Sequence, residues 1–192
     1  MADPHAVFAR ARSAAERADW EAFFACLDRS ELIVIARNSV NALAATPHHA
    51  GPRAAAVFAA HGFPLDTLQA RGRDVTESAR AMLDDPAPPA EQRRQSLRHR
   101  DLVERYAETL EAGLKGVPDL AAFAAALERA MRDSVGGGSV SSRLFVGETL
   151  TDLVVEGARA RAKRRLAGGA VEDIAFVKKK GDWYIRLPKR RV

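Results

Sequence analysis

The feature that most constrains this chain is a change of hydrophobic period at three consecutive glycines, Gly136-Gly137-Gly138, in "VGGGSVSSRLFVGE". Before them apolar residues recur every three to four positions, and after them every second one, the signatures of helix and strand. Helices that come first and strands that come last cannot be βαβ units. They make an α+β protein, with a helical N-terminal two-thirds followed by an antiparallel β-sheet. At 192 residues, 47% of them hydrophobic, the chain reads as a single domain, with residues 1–135 mostly helical and 139–188 supplying the strands.

Punctuation sets the helices. Asp3 before Pro4 is an N-cap with proline at the first helical position. Asp19 caps a short helix bearing Trp20, Phe23, Phe24 and Leu27. Asp28 or Ser30 caps the next, whose apolar stripe is Leu32, Ile35, Ala36, Val40 and Leu43. "TPHHAGP" is a break, Pro52 restarts a helix, and Gly62-Phe63-Pro64 interrupts again. "PLDTLQARG" and "DVTESARAMLDD" predict two short helices. A longer, highly charged helix from about Ala90 to Leu114 turns Leu97, Val103, Tyr106 and Leu110 toward the core. Pro118 opens a last one with Leu120, Phe123, Ala124 and Leu127 inward.

In "LVVEGARARAKRRL" the residues alternate, with Ala158, Ala160 and Ala162 on one face and Arg159, Arg161 and Lys163 on the other. A strand showing only alanines inward lies close to the helix that covers it. Gly168-Gly169 turns the chain into the hairpin "VEDIAFVKKKGDWYIRLP". A four-residue loop ending at Asp182 pairs Phe176 with Ile185 and Ile174 with Leu187. That register puts these residues and Trp183 on the buried face. Val177, Lys179, Tyr184 and Arg186 fall on the other.

Two stretches, "AAERADWEAFFACLD" and the final hairpin, resemble the nuclear transport factor 2-like (SnoaL-like, cystatin-type cone) superfamily. The likeness covers roughly residues 8–30 and 145–188 and leaves the helical middle as an insertion or replacement. It implies a strongly curved, cone-like sheet wrapped around the N-terminal helices, an enclosed pocket and a homodimer. Trp20, Phe23, Phe24, Phe176 and Trp183 would form the apolar wall of that pocket. The superfamily includes isomerases, dehydratases and cyclases, and also non-catalytic binding, assembly and immunity proteins, so the fold does not choose among them. Its isomerase-type enzymes use an aspartate or a tyrosine–aspartate pair inside the cone. The counterparts here are Asp28, Tyr106 and Tyr184. Asp28 has a simpler role as a helix cap, and Tyr184 falls on the less apolar hairpin face. Asp152 and Glu156 sit where turns or solvent faces are expected, and the strands offer no convincing buried acid.

Cys26 is the only cysteine, which excludes an intramolecular disulfide and a thiolate zinc site, and it reads as a small buried hydrophobe. His5, His48, His49, His61 and His99 show no ligand spacing, so no metal or cofactor is expected. "SVGGGSVSS" lacks the lysine of a phosphate-cradling loop and reads as a hinge or linker. The first residues lack a secretion signal and no run reaches membrane length, which points to a cytoplasmic protein with no membrane partner. Charge is uneven. Residues 143–192 hold 13 Lys/Arg against 6 Asp/Glu, a balance of +7, and the remainder holds 17 against 19, a balance of −2. Arg164, Arg165, Lys178, Lys179, Lys180, Lys189, Arg190 and Arg191 are expected to form a basic surface at one end of the sheet. The function these readings favour is a non-enzymatic binding or assembly protein, holding a small apolar ligand or a protein partner. The alternatives are a lyase or isomerase with its site inside the cone, and binding of nucleic acid or an acidic partner through the basic C-terminal third.

Overall fold

The structure, a computed structural model, describes residues 3–45, 47–84, 88–135 and 145–187. Its helices are α1 (Pro4–Glu16), α2 (Trp20–Phe24), α3 (Arg29–Ala45), α4 (Pro47–Ala60), α5 (Leu65–Asp84), α6 (Pro89–Gly116) and α7 (Leu120–Val135). They precede β1 (Thr149–Glu156), β2 (Arg159–Arg165), β3 (Val171–Lys179) and β4 (Asp182–Arg186). The four strands form one curved antiparallel sheet in the order β1-β2-β3-β4. The protein is therefore α+β. The "SVGGGSVSS" stretch falls almost wholly outside the described residues.

Caps stand where helices begin. The Asp3 carboxylate accepts from Ala6 N at 2.7 Å and that of Asp19 from Ala22 N at 3.2 Å. Asp119 takes both Ala121 N and Ala122 N at 3.0 Å, satisfying amides that the first turn of α7 leaves open. Gly62, at φ 66°, closes α4, and Phe63 N then bonds Phe58 O at 2.9 Å. Two expectations fail here. "HHAGP" is not a break, because α4 starts at Pro47, whose fixed φ suits a first turn, and it carries Pro52 within it. The two short helices over 65–84 are one, α5, whose helix runs through Gly72 at a propensity cost of about 1 kcal/mol.

The core lies between α1, α2, α3, α4, α7 and the inner face of the sheet. Phe8, Phe23 and Phe145 form one aromatic cluster, with ring centroids 5.2 and 5.5 Å from Phe145. Phe58, Phe63 and Phe123 form a second, at 5.3 to 5.9 Å. Ala160, Ala162, Ile174, Phe176, Trp183 and Ile185 are the buried row of the sheet. Ala158 does not belong to it and lies in the exposed β1–β2 turn. The hairpin register pairs Phe176 with Ile185, but the ladder continues to Lys179 and Asp182, leaving a two-residue loop instead of four. Lys180 at φ 51° and Gly181 at φ 95° give that loop the twist of a type I′ turn. The outer edge of β4 is covered: Asp28 N bonds Ile185 O, and Ile185 N bonds Cys26 O, both at 2.9 Å. At the opposite edge β1 is interrupted by a bulge at Thr151–Val154, with Asp152 at φ 54°. A bulge of this kind discourages edge-to-edge pairing.

The largest departure is the α5–α6 hairpin. Its two helices pack chiefly on each other, with attachments to α3 and α4. Among the described residues from 69 to 109, no side chain is more than partly buried. Leu97 and Val103, expected in the core, are 48% and 41% exposed, and Leu83 is 83% exposed. The reason is length. A 28-residue helix is about 42 Å long, and only the end of α6 bearing Leu110, Gly113 and Leu114 reaches the core. The rest continues past it as an arm.

Candidate functional site

At the root of this arm, α3, α5 and α6 enclose an open cleft of about 680 Å³. Asn41 of α3 and Tyr106 of α6 line it with Leu68, Gly72, Val75, Thr76 and Arg80 of α5. The Tyr106 hydroxyl donates to Asn41 Oδ1 at 2.9 Å, and Thr76 Oγ1 donates to Gly72 O at 2.9 Å. Burial raises the pKa of the Tyr106 phenol, so it stays protonated and acts as a donor. The cleft thus combines the apolar side chains of Leu68 and Val75, two internal hydrogen bonds, and the charges of Arg73, Glu77 and Arg80. Tyr106 was legible as a residue of interest, but its partner is Asn41, not an acid.

The residues expected to wall a pocket are placed elsewhere. Trp20, Phe23, Phe24, Phe176 and Trp183 are each at most 5% exposed. Phe23 lies 5.8 Å from Trp20 and 5.4 Å from Phe24, and the Arg132 guanidinium stands 4.4 Å over Trp20. Phe176 and Trp183 lie on the sheet's inner face, and Lys178 reaches over the Trp183 ring at 6.0 Å. None of the five lines the cleft.

Two acids are buried in ion networks. Asp28 is 1% exposed. Its backbone carbonyl accepts from Glu31 N and Leu32 N in the first turn of α3. Its carboxylate accepts from Ser30 Oγ at 2.7 Å, from Arg186 Nε at 3.1 Å and from Lys179 Nζ. Burial pushes its pKa up, but the hydrogen bonds from Lys179, Ser30 and Arg186 outweigh it and hold the carboxyl below its ordinary value. Nearby, Cys26 Sγ accepts from Arg10 Nε and donates to Ala22 O, both at 3.2 Å. Burial raises the Cys26 thiol against the opposing pull of Arg10, so it remains a thiol.

Glu148 is the buried acid that reading of the strands did not find. It is 4% exposed, accepts from Phe145 N at 3.0 Å and lies 3.3 Å from Arg164 Nε. Burial raises its pKa, with Arg164 and the Phe145 amide opposing. Arg164 is itself 4% exposed, donates to Glu172 at 2.8 Å and stacks 5.0 Å over Phe145, so it is no part of a basic surface. The signal was available: the two-residue period places Arg164 in the row of Ala160 and Ala162, not with the outward arginines.

The other basic residues do not gather at one end. Arg159 pairs with Val177 and Arg165 with Val171. The turn bearing Lys178, Lys179 and Lys180 is therefore at the opposite end of β2 from Arg165, about 20 Å away. Lys189, Arg190 and Arg191 lie outside the described residues. What the sheet does show is a row of four exposed cations, Arg159, Arg161, Lys163 and Arg165, on the outer face of β2. Arg161 pairs with Glu156 at 3.2 Å and Lys163 with Asp173 at 2.6 Å.

Among the described residues no three His, Cys, Asp or Glu side chains gather as a metal site, and no helix is long and apolar enough to cross a membrane. His61 packs on Phe123 at 5.3 Å, and the side chains of His48 and His49 lie outside what is described. Comparison with protein-family models, curated proteins and solved structures finds no match to this chain.

Proposed function

We propose that this is a non-enzymatic binding and assembly protein whose core and sheet carry the α5–α6 arm, and whose cleft receives an amphipathic helix of a protein partner. One observation carries the reading: the described residues from 69 to 109 make two long helices in which no side chain is more than partly buried, while Leu83, Leu97 and Val103 stand exposed. A two-helix layer buries little apolar surface, and Leu83, Leu97 and Val103 leave apolar side chains on it for a partner to cover. The cleft is open along α5, which suits a helix better than a small enclosed ligand. An acid–base enzyme is less well supported, because Asp28 and Glu148 are engaged in ion networks away from the cleft.

The resemblance to the nuclear transport factor 2-like superfamily belongs to the same proposal. A curved sheet packed on the N-terminal helices supports it, as does the segment 26–28 lying along β4. The cation row on β2 supports a second reading, polyanion binding. Two of its four charges are already paired with Glu156 and Asp173, and the arm is the stronger case.

A fluorescent dye that brightens in apolar clefts tests the proposal at high dilution. Wild-type protein is expected to bind it, and Val75→Glu, which sets a carboxylate in the wall of the cleft, to lose it at a cost in stability of about 1 kcal/mol. Absence of dye binding to the wild type would contradict a receptive cleft.

A further inference from the structure

We infer that the helix pair received by the arm is the arm of a second copy, so that two α5–α6 hairpins lie antiparallel about a two-fold axis as a four-helix bundle. This rests on the reading of the arm as a docking surface and names its occupant.

The charge of α6 is divided along its length. Residues 89–100, the distal half, carry Arg93, Arg94, Arg98 and Arg100 against Glu91, a balance of +3. Residues 101–116, the half nearer the core, carry four acids against Arg105 and Lys115, a balance of −2. All four distal arginines are exposed, as are Glu104 and Glu108. The ion pairs made by the distal arginines within the helix, Arg94–Glu91 at 3.8 Å and Arg100–Glu104 at 3.7 Å, are surface contacts worth little and free to rearrange. A uniformly basic or acidic partner would match one half of α6 and repel the other. The sequence that matches both halves is α6 itself, run in the opposite direction. Its basic tip then meets an acidic root twice over, as an isologous two-fold interface requires.

The dimensions agree. The distal 21 residues of α6, Pro89 to Thr109, span about 30 Å, and two helices side by side are about 20 Å wide. That face offers roughly 600 Å² per copy, or about 1,200 Å² in total, the lower bound for a stable specific interface. The exposed Leu83, Leu97 and Val103 supply apolar contact, and packing α6 and α5 against two more helices gives each an environment its isolated hairpin lacks.

Sedimentation equilibrium of the full chain tests this with two charge variants. Wild type should show a mass of twice 20.8 kDa. Arg93→Glu/Arg94→Glu makes the whole of α6 acidic, and Glu104→Lys/Glu108→Lys makes it basic. Each alone should weaken self-association by about tenfold or more, and an equimolar mixture should restore the two-chain mass, with circular dichroism unchanged throughout. A monomeric wild type that still binds the apolar dye would overturn the second copy as occupant and leave the cleft a docking site for a different chain. A monomeric wild type that binds no dye would remove both. A dimer indifferent to both charge variants would place the interface elsewhere and also overturn the inference.

Discussion

Asp28 illustrates how much of a residue's role is set by chain far from it. Its place at the start of α3 was legible from the local pattern. Its carboxylate partners, Lys179 and Arg186, sit on the final hairpin more than 150 positions away, as the separations of 151 and 158 show. Only the docking of segment 26–28 on β4 brings them together. Arg164 is the converse case, legible in the alternation of β2 and missed because arginine is ordinarily an outward residue. The two buried acids also respond to pH in opposite senses. The folded pKa of Asp28 lies below its unfolded value of about 3.9, so its stabilisation is present above that value and is lost as pH falls through the folded one. The folded pKa of Glu148 lies above its unfolded value of about 4.3, so its contribution is present at low pH and lost as pH rises through the folded one. Asp28→Asn should cost about 2 kcal/mol near neutrality, the loss of charge-assisted hydrogen bonds. Urea unfolding at a series of pH values should show that cost shrinking as pH falls through the folded pKa of Asp28, where the wild-type carboxyl is itself protonated. A cost independent of pH would mean that the charge of Asp28 is not what holds the segment.

At the scale of the element, caps and turns were the most legible features, because Asp3, Asp19 and Gly62 act through neighbours within a few positions. The hairpin register was legible from one alternating pattern on each strand. Continuity of α5 was not, since a glycine inside a helix looks like a stop unless the packing is known. The glycines of the arm make this measurable. A Cβ at Gly72 would meet Tyr106 Cε2 at 3.5 Å, an ordinary contact. Gly72→Ala should therefore stabilise by about 0.5–1 kcal/mol through helix propensity. A Cβ at Gly113 would stand 2.8 Å from Phe63 Cε2, on a ring held by Phe58 and Phe123. There overpacking of about 1–3 kcal/mol exceeds the propensity gain, and Gly113→Ala should destabilise. Thermal unfolding of the two variants should move in opposite directions. If both gained stability, α6 would not be seated against Phe63 as described.

For the whole molecule, the order of helices before strands and the α+β class followed from the change of period at the glycines. The arm did not, for a physical reason. An apolar stripe says that something must cover it, not that the cover belongs to the same chain. Leu97 and Val103 carry the pattern of core residues, and within one copy they are exposed. The same stripe that seats Leu110 and Leu114 on the core runs on past it through Tyr106 to Val103. The proposed assembly would complete such a layer at the cost of ordering the partners, which a preformed helical hairpin keeps small.

Amide hydrogen exchange followed peptide by peptide, at concentrations below and above that needed for association, tests this account most directly. Peptides of the described arm between residues 69 and 109 should exchange rapidly in dilute protein and gain protection on concentration, while those of α7 and β2–β4 remain unchanged. Protection that appeared in the sheet with none in the arm, or an arm equally protected at every concentration, would contradict it.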